Sequence, residues 1–201
     1  MRIISGSARG RKLFTPASHN RAIRPTSDRA REALFSIIGE QIVNCNVLDL
    51  FGGTGAFGCE ALSRNAKLVA FVDNAKSALN LIYKNVKLIP DGLDRALILR
   101  HDLQKGITES LFSGHSDVGF GLIFADPPYR TELSSKIISS LDNNSILSSD
   151  PLIIIEEEKS FNPPDKLEKL ELSDVRNYGD TSFIFYRCKK TLNFEHFRSK
   201  L

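Results

Sequence analysis

The 201-residue chain reads as an α/β protein built on an open, mostly parallel sheet. Three observations predict it. Short apolar runs alternate with helical apolar stripes along most of the chain. The run Val47 to Phe51 leads into Gly52-Gly53-Thr54-Gly55, a strand–tight turn–helix signature. A later run, Phe120 to Ala125, ends in Asp126-Pro127-Pro128-Tyr129. Neither proline can donate to a sheet ladder, so the chain must leave the sheet there in a stiff, extended turn.

The length suits one full domain with a sizeable core. No apolar run approaches a membrane span, and the start lacks a signal-peptide stretch. Cys45, Cys59 and Cys188 show no CxxC spacing and read as reduced thiols of a cytoplasmic protein. His19, His101, His115 and His196 are scattered, so no metal is expected. Net charge is +3, unevenly spread. Met1 to Arg31 holds eight basic residues against Asp28 alone, leaving nineteen basic against twenty-three acidic beyond. Such a head is a solvated arm or a polyanion-binding surface, and phosphate contact is the favoured reading. Gly6, Gly10, Ile3-Ile4 and Leu13-Phe14 suggest a hairpin over residues 1–25. Arg9, Arg11, Lys12 and Arg24 are its candidate nucleic-acid contacts.

After Arg24-Pro25, Thr26 or Ser27 caps a helix and Asp28 favours its first turn. Ala30, Ala33, Leu34, Ile37 and Ile38 form its stripe, and Gly39 stops it. Arg29 and Arg31 fall off that stripe, toward solvent, cofactor or nucleic acid. Gly53, Gly55 and Gly58 satisfy GxGxxG, so a dinucleotide fold must be weighed. Asp49, on the strand before the glycines, argues against a pyrophosphate there. It favours a ligand with an ammonium group. The glycine-turn helix runs from about Ala56 to Arg64.

Leu68 to Val72 is the second strand. Asp73 at its end can hold two ribose hydroxyls, cap the next helix, or do both. Ala75, Ala78, Leu79 and Ile82 form that helix's stripe, and Pro90-Asp91-Gly92 closes it. Ala96 to Leu99 is the third strand. The following Asp102 is an adenine acceptor or a capping residue. Residues 103–119 read as loop with a short helix, mobile from Gly114 to Gly119. Leu133, Ile137, Ile138 and Leu141 mark a further helix. Leu152 to Ile155 is a buried strand closed by Glu156-Glu157-Glu158, read as its solvated end. Leu167–Leu172 and Phe183–Tyr186 read as an antiparallel edge pair joined through Tyr178-Gly179-Asp180-Thr181. Phe194 and Phe197 are the candidate apolar anchors of the 191–201 tail, with no site assigned to them.

Asp126-Pro127-Pro128-Tyr129 suits one chemistry. An exocyclic nucleobase amine is a poor nucleophile because its lone pair is delocalised into the ring. A carboxylate and a carbonyl accepting its two N–H groups turn that lone pair out of plane, while an aromatic ring stacks on the base. A sulfonium methyl donor such as S-adenosylmethionine then needs mainly alignment. The bland alternative is a Pro-rich turn with a capping Asp.

These motifs in this order resemble the class I S-adenosylmethionine-dependent methyltransferases. More narrowly, Met1 to Gly6, Gly10 to Leu13, Arg24 to Arg29, Val47 to Gly58, Glu60 to Arg64, Phe124 to Tyr129 and Tyr178 to Thr181 resemble the RsmD family. That resemblance implies a Rossmann-like seven-stranded sheet of order 3-2-1-4-5-7-6 over residues 26–190. It implies methyl transfer to the N2 amine of a guanine in 16S rRNA of the small ribosomal subunit, or of its assembly intermediates. Separately from the resemblance, a cytoplasmic monomer without a metal is expected. The matching positions make Asp126, Pro127, Pro128 and Tyr129 catalytic. Asp49, Phe51, Gly52, Gly53, Gly55, Asp73, Asn74 and Asp102 become the cofactor-binding set. Gly52-Gly53-Thr54 departs from the family's more usual Ala-Gly-Ser, a change that should leave cofactor binding intact. Alternatives are an adenine-N6 DNA methyltransferase, for which no target-recognition domain is evident, a non-catalytic assembly factor, and a nicotinamide enzyme.

Overall fold

The computed structural model describes residues 1–16, 28–114, 119–129 and 131–189. Arg24, the Thr26 or Ser27 cap, the core of the Gly114–Gly119 segment and the 191–201 tail lie outside the described residues. The elements are α1 (Asp28–Ile38), β1 (Asn46–Leu50), α2 (Ala56–Ser63), β2 (Leu68–Asp73), α3 (Lys76–Val86), β3 (Ala96–Arg100), β4 (Phe120–Ala125), α4 (Leu133–Leu141), β5 (Leu147–Glu158), β6 (Leu170–Tyr178) and β7 (Thr181–Cys188). One sheet holds all seven strands in the order β3-β2-β1-β4-β5-β7-β6. Pairing is parallel from β3 to β5 and antiparallel where β7 enters.

Strand periodicity divides the core into two layers. Val47, Leu122, Phe124 and Ile154 face the layer covered by α1, α2 and α3. Leu48, Leu50, Ile123 and Ile155 face the layer covered by α4 and the turns carrying Leu103 and Phe112. Both faces of the central strands are covered, which is why their sequences run as unbroken apolar stretches.

The first segment folds back on itself. Arg2 and Lys12 form an antiparallel bridge, and the Gly10 N–H donates to the Ile3 carbonyl at 2.8 Å. Ile3, Ala8 and Leu13 are buried in the same layer as α1 to α3, so this arm packs directly onto the sheet domain. Ser63 anchors it, accepting the Ala8 N–H and donating to the Ser5 carbonyl.

Several expectations shift. The buried face of α1 is Ala30, Arg31, Leu34, Phe35 and Ile38, and Ile37 is exposed. The face is turned because Phe35 stacks on Phe57, which stacks on Phe124. Ala75 lies before α3, exposed. β6 begins at Leu170 and runs to Tyr178, later and longer than its apolar residues suggest. As the edge strand it buries little beyond Leu170, so alternation says little about its bounds. Asp142 sets its start, accepting the N–H groups of Glu168, Lys169 and Leu170, which holds its carboxyl below the usual range despite the opposing effect of burial. Glu156 and Glu157 are not a solvated end: both are buried within β5, paired with Phe183 and Ser182 of β7.

Candidate active site

The C-terminal ends of β1, β2, β4 and β5 open onto one cavity of about 1280 Å³. This is where parallel α/β sheets collect ligands. Its floor begins with the turn after β1. Phe51, Gly53 and Gly55 all take positive φ, 58°, 56° and 72°, a strained state for Phe51 that the glycines accept without cost. The Gly52 N–H donates to the Val72 carbonyl at 3.1 Å, drawing the turn toward β2. Gly58 lets α2 sit flat on β2, since a Cβ there would lie 2.2 Å from Phe71 Cε1.

Two carboxylates brace this turn. Asp49 Oδ2 accepts the Gly58 N–H at 3.0 Å. Burial pushes the Asp49 carboxyl up to about 8, the Gly58 N–H opposes this, and the Asp73 charge adds to it. Asp73 Oδ2 accepts the Gly53 N–H and Oδ1 the Ala75 N–H, both at 2.9 Å. Each oxygen keeps a lone pair for another donor. Asp102 also lines the cavity while its Oδ1 accepts the Gln104 N–H at 3.1 Å, a capping role. Phe51, Gly52, Gly53 and Asn74 complete this wall. Gly55 is not among the residues lining it; a Cβ there would meet Ile82 Cγ1 at 3.1 Å and Phe71 Cε1 at 3.3 Å.

Asp126 follows β4, its N–H donating to the Leu50 carbonyl at 3.4 Å. Asp126, Pro127, Pro128 and Tyr129 all line the cavity. No described residue donates a hydrogen bond to the Asp126 carboxylate. Burial, then the charges of Glu156, Asp49 and Glu157, hold its carboxyl well above the usual carboxylate range. Thr131 Oγ1 donates to the Pro128 carbonyl at 2.7 Å, fixing the turn. Tyr129 Oη donates to Glu156 Oε1 at 3.5 Å and meets Thr181 Oγ1 at 3.3 Å. Burial is the main reason its phenol is pushed up to about 12.

Glu156 and Thr181 are cavity residues the sequence reading missed, and Arg31, left open between solvent, cofactor and nucleic acid, also lines the cavity. An acid directly after a buried strand was the available signal for Glu156. Asp28 and Arg31, three apart on α1, were the signal for Arg31. Among the described residues, seven carboxylates (Asp49, Asp73, Asp102, Asp126, Glu156, Glu158 and Asp180) line the cavity against Arg31 and Lys159. That balance suits a cationic or zwitterionic ligand and disfavours a pyrophosphate. The exposed side chains of Arg9, Arg11 and Lys12 lie outside the cavity, on the arm. Arg11 Nη1 donates to the Leu88 carbonyl.

The sheet order and the acidic, glycine-floored cavity define a class I, Rossmann-like methyltransferase. The family described as conserved hypothetical protein 95, the RsmD family, matches residues 1–187, and the chain belongs to it. It is similar to the ribosomal RNA small subunit methyltransferase D of Haemophilus influenzae, at 34% identity over 93% of each chain. The solved structure of yhhF from Escherichia coli superposes with a TM-score of 0.73 at 30% identity, covering 95% of this chain and 99% of that one. SMU.776, solved in complex with SAH, shares the fold with a TM-score of 0.60 at 18% identity, covering 80% of this chain and 49% of its own.

Proposed function

We propose that this chain transfers a methyl group from S-adenosylmethionine to the exocyclic N2 amine of a guanine in 16S rRNA of the small ribosomal subunit or its assembly intermediates. The observation that carries it is the Asp126 carboxylate, without a donor among the described residues and fixed by Pro127-Pro128 on the cavity that holds Asp49 and Asp73. The name of the Haemophilus influenzae relative supports the substrate, and the SAH complex of SMU.776 supports the donor.

When bound, S-adenosylmethionine supplies an electrophilic methyl on a sulfonium. Asp49 would hold its ammonium and Asp73 its ribose hydroxyls, and the Gly52–Gly53 backbone would let it approach closely. Asp126 and the Pro127 carbonyl accept the two N–H bonds of the amine, and Tyr129 stacks on the extruded base. As positive charge grows on nitrogen, the Asp126 carboxylate stabilises it. The N–C bond forms as the S–C bond breaks and the donor leaves as a neutral thioether, and the cationic amine then passes its proton to water.

The test is methyl transfer from labelled donor to small subunits that lack the modification, followed by mapping of the base. A single N2-methylguanine is expected. Label on another base, or no transfer by the wild-type protein, would overturn the proposal.

A further inference from the structure

We infer that Glu156 selects guanine as the target base by accepting its ring N1–H, beside the amine held by Asp126. This rests on the amine-methylation reading above. The sheet register places the two acids together. Ala125 of β4 pairs in parallel with Ile155 of β5, so the next residues, Asp126 and Glu156, are neighbours across strands spaced about 4.8 Å apart. Both line the cavity. Alternation along β5 puts Glu156 on the face of Ile154. It sends Glu157 to the face of Ile155, where Ser134 Oγ donates to it at 2.5 Å. Glu157 therefore serves packing, and Glu156 is turned to the site. Glu156 is 2% exposed. Tyr129 Oη donates to its Oε1 at 3.5 Å and meets Thr181 Oγ1 at 3.3 Å. The ring that stacks on the base and this second acid are thus held against each other.

The chemistry of base edges decides between the bases. Adenine, cytosine and guanine all carry an exocyclic amine. Beside it on the Watson–Crick edge, adenine has N1 and cytosine has N3, both unprotonated acceptors. Guanine alone of the three has a ring N–H there. A buried carboxylate facing an acceptor lone pair is repelled, and both groups are left unpaired. Two carboxylates side by side match a row of donors instead. Asp126 takes the N2–H nearer N1, Glu156 takes N1–H, and the Pro127 carbonyl keeps the other N2–H. The same Glu156 carboxylate disfavours the adenine-N6 reaction, in which an acceptor would lie opposite it.

The test is single-turnover methyl transfer to small subunits reconstituted on 16S rRNA carrying guanine or 2-aminopurine at the mapped position. 2-Aminopurine keeps the N2 amine, but its N1 is an acceptor and it lacks O6. Wild-type protein should favour guanine by on the order of 10²-fold, the range for one hydrogen bond to a charged group. Glu156→Gln should narrow that ratio by about tenfold or more, since its amide can donate to the ring nitrogen that the carboxylate repels. Glu156→Ala should narrow it too, with slower transfer to guanine. The ratio is read within one protein, so partial unfolding or a purely structural role slows both substrates alike and leaves it in place. Equal rates on the two substrates in the wild type, or a ratio that both variants retain, would overturn the assignment while transfer to guanine upholds the amine-methylation reading. No transfer to guanine by the wild type would overturn that reading and this inference with it.

Discussion

Glu60, fully buried on α2, accepts the backbone N–H of Ile4 at 2.7 Å. The same carboxylate accepts the Ser5 N–H at 3.0 Å and pairs with Arg64 Nε at 2.7 Å. One side chain thus fastens the basic arm to the sheet domain. Glu60→Ala leaves both amides without their acceptor, a loss of about 2 kcal/mol or more. Urea unfolding should show that loss, and trypsin should cut faster after Arg9 and Arg11. An unchanged midpoint and digestion rate would mean that Ile3, Ala8 and Leu13 hold the arm by burial alone.

Gly58→Ala should be worse than Gly53→Ala, although both lie in the glycine turn region. At Gly58 a new Cβ meets Phe71 Cε1 at 2.2 Å and Val69 Cγ1 at 2.8 Å. Phe71 is fully buried and cannot swing away, so overpacking of about 1–3 kcal/mol follows. At Gly53 the nearest atom is 3.7 Å away, and only the φ of 56° is strained, at about 1 kcal/mol. Thermal unfolding of the two variants should rank them in that order, and the reverse order would mean α2 can lift from β2 cheaply.

The central strands were legible because both of their faces are covered, so the sequence carries unbroken apolar runs such as Leu152 to Ile155. The glycine turn and Asp126-Pro127-Pro128-Tyr129 were legible for a related reason: their backbone demands leave few residue choices. Glu156 and Glu157 were not, because three consecutive acids look solvated. Their burial depends on distant partners: Ser134 Oγ donates to Glu157 Oε1 at 2.5 Å, and Tyr129 reaches Glu156. The burial of Arg31, which the sequence left open between solvent, cofactor and nucleic acid, was hidden in the same way. A helical stripe read from apolar residues alone passes over a charge whose partner is the carbonyl of Arg2. β6 was misplaced because its register is set by Asp142, far away in sequence.

The arm should engage RNA through phosphates. Arg9 and Lys12 are exposed, and Arg11 is exposed but tied to Leu88. Changing all three to alanine should weaken RNA binding and flatten its dependence on salt, by a slope of about 0.7–0.9 per lost contact. Arg11→Ala alone should contribute less than Arg9→Ala, since its guanidinium already has an acceptor. Cofactor affinity should not move. A salt slope identical to wild type would identify the arm as a solvated surface.

The last prediction concerns the charge of Asp126. Burial, then Glu156, raises this carboxyl well above the usual range, so a neutral fraction persists at pH values where an ordinary Asp is ionised. Amine activation needs the carboxylate, so single-turnover methyl transfer should fall as pH drops through the raised value. Glu156→Gln removes the largest neighbouring charge and should move that acid limb to lower pH. Asp126→Asn keeps an acceptor but no charge, and should lower kcat by on the order of 10²–10³ above that limb, with the deficit shrinking as the wild-type carboxylate is protonated. The sign for stability is opposite. A carboxyl raised above its unfolded value of about 3.9 contributes stability that is full below that value and lost as pH rises through the folded one. Asp126→Asn should therefore melt higher than wild type at about pH 8, with the gap closing toward about pH 4 as Asp126 itself becomes neutral. Differential scanning calorimetry across that window and rapid-quench methyl transfer read the two effects separately. An acid limb unmoved by Glu156→Gln would mean that Asp126 does not titrate in the active complex. Wild-type rates in Asp126→Asn would leave Asp126-Pro127-Pro128-Tyr129 as a structural turn.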